Sequence, residues 1–235
     1  MKKYLPVFIV VAGFLSAGMP GSSAQNTASV SGTVKFKGIA PHPSRIDMSF
    51  DPNCAKAHAT PAFTQDVVVG GGGGLENVVV YVADGLNGAP PEGDPPPAVL
   101  EQKGCVYQPR VMALQANQKL EIKNDDATSH NIHPMPVNNR EWNKTQPPGV
   151  PIEESFAREE IAIPVKCNIH PWMRGYIAVF KHPFFAVTDK DGNFDLKNLP
   201  PGTYTITAWH EKLGTQSQKV TVAAGQPSKL EFTFK

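Results

Sequence analysis

The sequence predicts an all-β protein of packed sheets, and three observations carry that expectation. Apolar and polar residues alternate with period two along much of the chain, the mark of strands with one buried face. Turn signals built on Gly, Pro and Asp separate the alternating segments, as at Asp191-Gly192, Leu199-Pro200-Pro201-Gly202 and Ala224-Gly225. No window carries a long helical pattern, and the content of 23 Pro and 20 Gly suits short strands and turns better than helices.

The strands are expected in order. Residues 29–36 (SVSGTVKF) and 119–123 (KLEIK) alternate cleanly. Residues 77–82 (NVVVYV) and 176–180 (YIAVF) are continuous β-branched or aromatic runs, expected where a strand is buried on both faces. Three more strands follow at 203–209, 218–222 and 229–234. Between them, the five glycines from Gly70 to Gly74 read as a flexible loop, and residues 88–97, rich in proline, as a stiff surface loop. The glycine run lacks the Lys-Ser/Thr and the helix that a phosphate cradle needs.

The first 24 residues read as an export signal: Lys2 and Lys3, an apolar run to about Met19, then Ser22-Ser23-Ala24 as a cleavage site. Pro6, Gly13 and Gly18 interrupt that run, which is short for a bilayer span, so a mature protein without a membrane span is expected, periplasmic or secreted. The 22 basic and 21 acidic residues leave a net charge of +1. Losing Lys2 and Lys3 leaves 20 basic residues and a charge of −1. Neither value is a footprint for nucleic acid or anionic lipid.

Three cysteines leave one unpaired thiol in an exported protein. Cys54 and Cys105 lack persuasive ligand neighbours and are expected to pair, closing a loop of about 50 residues. A second metal site of Cys54 with His58 is the weaker alternative. Cys167 is then the free thiol, and it opens the segment Cys167-Asn168-Ile169-His170-Pro171-Trp172-Met173. Thiolate, imidazole and thioether stand there at i, i+3 and i+6. Two histidines, one cysteine and a weak axial methionine make an electron-transfer copper site. The second histidine is sought in Thr128-Ser129-His130-Asn131-Ile132-His133, where His130 is favoured over His133 because it directly precedes Asn131. His182 and His210 read as surface or structural histidines.

Residues 167–179 (CNIHPWMRGYIAV) resemble the ligand loop and final strand of the amicyanins and plastocyanins, small members of the cupredoxins. Residues 124–133 (NDDATSHNIH) resemble the upstream cupredoxin stretch that leads to the first ligand. The resemblance implies a cupredoxin-like Greek-key β-sandwich holding one type 1 copper on His130, Cys167, His170 and Met173. It implies that Asn131 ties the ligand loops together and that Pro171 stiffens the second of them. It also implies a non-enzymatic electron carrier, whose redox partners dock transiently near a partly exposed His170. The chain departs from the pattern in a long region before Cys105, in residues 162–166, and in about 54 residues after the last cupredoxin-like strand.

Those last residues resemble the carboxypeptidase regulatory-like, or transthyretin-like, modules, through Thr188-Asp189-x-x-Gly192-x-Phe194-x-Leu196 and Leu199-Pro200-Pro201-Gly202-Thr203-Tyr204. The expected organisation is a cupredoxin-like domain over 25–181, with a loop insertion at about 40–100. A second small β-sandwich follows over 182–235, completed by strand 29–38. A copper chaperone without redox cycling and a metal-free binding module are the competing readings. The His-x-His pairs and His-Cys-His bridge of a multicopper oxidase are missing.

Overall fold

The computed structural model describes Met1 and residues 27–88 and 93–235, so the export-signal reading lies outside the described residues, as does part of the proline-rich loop. The strands are β1 (Ala28–Phe36), β2 (Val79–Asp84), β3 (Ala98–Gln102), β4 (Tyr107–Gln108), β5 (Val111–Gln115), β6 (Leu120–Asn124), β7 (His130–Pro134) and β8 (Lys144–Gln146). They continue with β9 (Ile152–Glu154), β10 (Glu160–Lys166), β11 (Arg174–Phe180), β12 (Phe185–Val187), β13 (Asn193–Leu199), β14 (Gly202–His210), β15 (Gly214–Val222) and β16 (Ser228–Phe234). Helix is confined, among the described residues, to α1 (Pro52–Lys56) and a tight turn at Gly71–Gly73. None of it is long and apolar enough to cross a membrane.

Four sheets stack face to face, in the orders β13-β1-β16, β12-β2-β14-β15, β5-β11-β10-β7-β8 and β4-β3-β6-β9. Strand pleat explains the stacking, because successive side chains point to opposite faces. Val80 and Val82 of β2 enter one core with Val30 and Val34 of β1. Val79 and Tyr81 of the same strand meet Val111, Ala178 and Phe180 in the middle layer. Ile177 and Val179 of β11 face the other way, into a core with Leu100, Leu120 and Ile122. β2 and β11 are therefore continuous apolar runs because each is covered on both sides.

β1 runs antiparallel to β13 and parallel to β16, so the chain's first described strand is held by its last ones. Two differences from the sequence reading follow from long-range pairing. The strand expected at 77–82 is β2, but although it falls in the stretch read as a loop insertion it pairs with β14 and β12. The glycine run is a docked turn rather than a flexible loop. A Cβ at Gly70 would stand 1.9 Å from the Lys190 carbonyl oxygen, and one at Gly74 2.1 Å from that of Asp191. Only glycine lets these backbones approach so closely.

Candidate metal centre

β10 pairs antiparallel with β7, with Lys166 opposite His133, and with β11, with Lys166 opposite Arg174. His130 at the start of β7, Cys167 just past β10 and the 167–173 loop therefore meet at one end of the five-stranded sheet. The 125–129 loop before His130 is shaped by Asn124, whose Nδ2 donates to the carbonyls of Thr128 (3.0 Å) and Gln146 (2.9 Å). Its Oδ1 accepts from the Asp126 N–H at 3.1 Å. The 167–173 loop closes on itself. The N–H of Cys167 donates to the Met173 carbonyl (3.1 Å), and that of Met173 to the His170 carbonyl (3.0 Å).

The loops bring His130, Cys167 and His170 together with all three ligand atoms within 4.8 Å of one another. The two Nδ1 atoms are 3.0 Å apart, and Cys167 Sγ is 3.8 Å from His170 Nδ1. Each opposite ring nitrogen faces a carboxylate: His130 Nε2 is 2.8 Å from Asp126 Oδ2, and His170 Nε2 is 3.1 Å from Asp51 Oδ2. In the tautomer whose Nε2–H donates to the carboxylate, each Nδ1 turns its lone pair toward one spot beside the Cys167 sulfur. Two ring nitrogens and a sulfur facing one spot form a donor set that a metal cation takes, and without a metal a proton on one Nδ1 bridges the two rings. Two imidazoles and a thiolate, with a thioether on the same loop, fit copper.

Both histidines are fully buried, as is Met173, which shares its core cluster with Cys167. The expectation of a partly exposed His170 is corrected here. Asp51, Cys54 and the ring of Trp172, centred 5.1 Å away, cover it. Cys54 and Cys105 form a disulfide, leaving Cys167 as the free, buried thiol.

Burial opposes ionisation of Cys167, but hydrogen bonds from His130 and from the backbone N–H groups around it outweigh burial and hold its pKa below the usual thiol value. His130 is likewise opposed by burial, yet Asp126 and Cys167 raise its pKa above the ordinary histidine range. Asp51 falls to about 2: burial pulls upward, and hydrogen bonds from Thr128, Asn53, His170 and Cys54 overcome it.

Asn131 ties β7 to the 167–173 loop. Its N–H donates to Cys167 Sγ at 3.3 Å, and its Oδ1 accepts from the Asn168 N–H at 3.2 Å. Pro171 follows His170 on an exposed corner, where its carbonyl accepts from Arg174 Nε at 3.2 Å. His133 is not part of the cluster and lies between Glu141 and Asn168. His58 reaches the Gly104 carbonyl (2.6 Å) rather than a metal group with Cys54. His182 accepts from the Phe184 N–H and His210 from that of Lys212.

Sequence reasoning missed Asp51 and Asp126. Asp126 had a signal, standing four residues before His130. Asp51, followed by proline, caps α1, accepting from the Asn53 N–H at 2.8 Å.

A family model described as the carboxypeptidase regulatory-like domain matches residues 178–235. No curated protein matches the chain. Among solved structures, a purple cupredoxin from Nitrosopumilus maritimus is similar at 23% identity over 35% of this chain and 98% of its own, with a TM-score of 0.31. A reduced amicyanin variant is similar at 17% identity over 43% of this chain and 97% of its own, TM-score 0.33. The copper-containing nitrite reductase of Thermus scotoductus SA-01 is similar at 19% identity over 42% of this chain, TM-score 0.34. The chain spans 25% of that enzyme's length. The protein is thus an all-β chain whose residues 178–235 are similar to the carboxypeptidase regulatory-like domain.

Proposed function

We propose that the protein is a mononuclear type 1 copper protein that carries single electrons. Its ligands in this reading are Nδ1 of His130, Nδ1 of His170, Sγ of Cys167 and the thioether of Met173. The observation that carries the reading is the 3.0 Å approach of two buried imidazole nitrogens beside a buried free thiol. Copper bound there supplies one-electron chemistry through its two oxidation states.

The chain's own residues do the rest. Asn131 and His170 donate backbone N–H groups to Cys167 Sγ, at 3.3 and 3.4 Å, and so stabilise the thiolate. Burial keeps water from both imidazoles. The hydrogen-bonded 167–173 loop limits ligand movement, and electron transfer is fast when little rearrangement accompanies it. Redox partners dock over the exposed residues Asn168, Ile169 and Pro171, in small transient contacts. Electrons then cross one buried imidazole rather than an exposed one.

The disulfide supports an oxidising compartment, periplasmic or extracellular. The second sandwich, built on residues 182–235 and completed by β1, serves as a structural module and holds no catalytic group.

Oxidised, copper-loaded protein is expected to show an intense visible band from thiolate-to-metal charge transfer and a reversible one-electron couple. Cys167→Ser should abolish the band. A band that survives that substitution, or a copper adduct that cannot be cycled, rejects the reading.

A further inference from the structure

The two carboxylates behind the imidazoles form a paired device. Asp126 receives His130 Nε2 on Oδ2 and is held by the backbone N–H groups of Gly104 (2.6 Å) and Cys105 (2.8 Å). Asp51 receives His170 Nε2 on Oδ2 and is held by the N–H groups of Asn53 (2.8 Å) and Cys54 (3.5 Å) and by the Thr128 hydroxyl (2.8 Å). Each carboxylate therefore leans on one half of the Cys54–Cys105 disulfide. Cys54 Sγ also lies 3.6 Å from His170 Nε2. The side chains of Asp126 and Asp51 are only 8% and 16% exposed, so little water screens their charge.

We propose that Asp51 and Asp126, joined through the Cys54–Cys105 disulfide, are positioning residues that fix both imidazoles with Nδ1 turned toward Cys167 and set the reduction potential of the centre. The proposal rests on the copper reading for its potential, and on geometry alone for the imidazoles. A carboxylate on the outer nitrogen fixes the tautomer and makes the inner nitrogen more basic. Its negative charge favours the more highly charged metal state over the reduced one. Removing that charge must therefore raise the potential.

The test compares the full-length parent with Asp51→Asn, Asp126→Asn, Thr128→Val and the doubly substituted Cys54→Ser/Cys105→Ser. Each Asn variant and the double Ser variant should keep the visible band and lose about tenfold in affinity for oxidised over reduced copper, a rise of about 59 mV for one electron. Thr128→Val removes a competing donor from Asp51 Oδ2, strengthens the hold on His170, and should move the potential the opposite way. In metal-free protein, nitrogen NMR should find Nε2–H on both imidazoles of the parent, and a changed His170 signal in Asp51→Asn alone.

Unchanged potentials with an intact band overturn the proposal, as does an equal rise in Thr128→Val, which would mark general loosening. A parent without the band defeats the copper reading instead. The metal-free tautomers still judge the carboxylates.

Discussion

The hydroxyl of Tyr107 donates a 2.6 Å hydrogen bond to the backbone carbonyl of Asn131, the residue whose own N–H donates to Cys167 Sγ. Burial, reinforced by the neighbouring Cys167, pushes the Tyr107 pKa up, so the phenol stays a donor. Tyr107→Phe leaves that buried carbonyl without its partner and should cost about 1–3 kcal/mol. Denaturant unfolding measures the loss. A midpoint equal to the parent's would show that the bond contributes nothing.

The Cys54–Cys105 disulfide joins residues 51 apart in sequence. Closing a loop of that length restricts the unfolded chain by about 4 kcal/mol in the chain-entropy model. Cys54→Ser/Cys105→Ser should lose about 2–4 kcal/mol in metal-free protein, read from urea midpoints with and without the bridge. A loss below about 1 kcal/mol would show that the covering segment is held by its packing alone.

Arg110, just before β5, ties that strand's sheet to the turn between β14 and β15. Its Nε and Nη2 donate to the two oxygens of Glu211, at 2.7 and 3.0 Å, and Nη2 also reaches Asp66 at 2.8 Å. The Glu211 side chain is 2% exposed and that of Arg110 11%, so this pair sits largely outside solvent screening. Arg110→Ala strands a buried carboxylate and should cost about 3–5 kcal/mol. Arg110→Lys should recover only part of it, because an ammonium cannot fork across two oxygens. Thermal melts of the three proteins decide this, and full recovery by lysine would contradict the forked geometry.

His210 is buried, and burial, aided by the Arg110 charge, lowers its pKa from 6.5 to about 4. Between those values the unfolded chain binds a proton that the folded chain refuses. Stability is therefore full above pH 6.5 and declines as pH falls toward 4, by about 3 kcal/mol in all. His210→Gln should flatten this part of the stability–pH curve. An unchanged slope in the variant assigns the acid sensitivity to other groups.

Much of the architecture is legible locally. Alternation at 29–36 marks β1, and the unbroken apolar runs at 77–82 and 176–180 mark strands covered on both faces. Periodicity reports which faces of a strand are apolar, because pleat geometry is a property of neighbours in the chain. Several strands escaped it. β7 carries His130, Asn131 and His133 where a plain strand would alternate, and β8, β9 and β12 span only three residues each. Residues chosen for the site, or elements shorter than two periods, leave no repeat to read.

By itself the sequence determined the all-β class and the spacing of thiol, imidazole and thioether along the loop from Cys167 to Met173. Both are short-range properties, written in residues a few positions apart. Only the tertiary structure decided what stands behind the imidazoles. Asp51 meets His170 across 119 residues, and β2 leaves its apparent insertion to pair with β14. It also decided that His170 is buried. Long-range pairing and the covering of one loop by another depend on how whole sheets stack, and no local pattern of side chains encodes that.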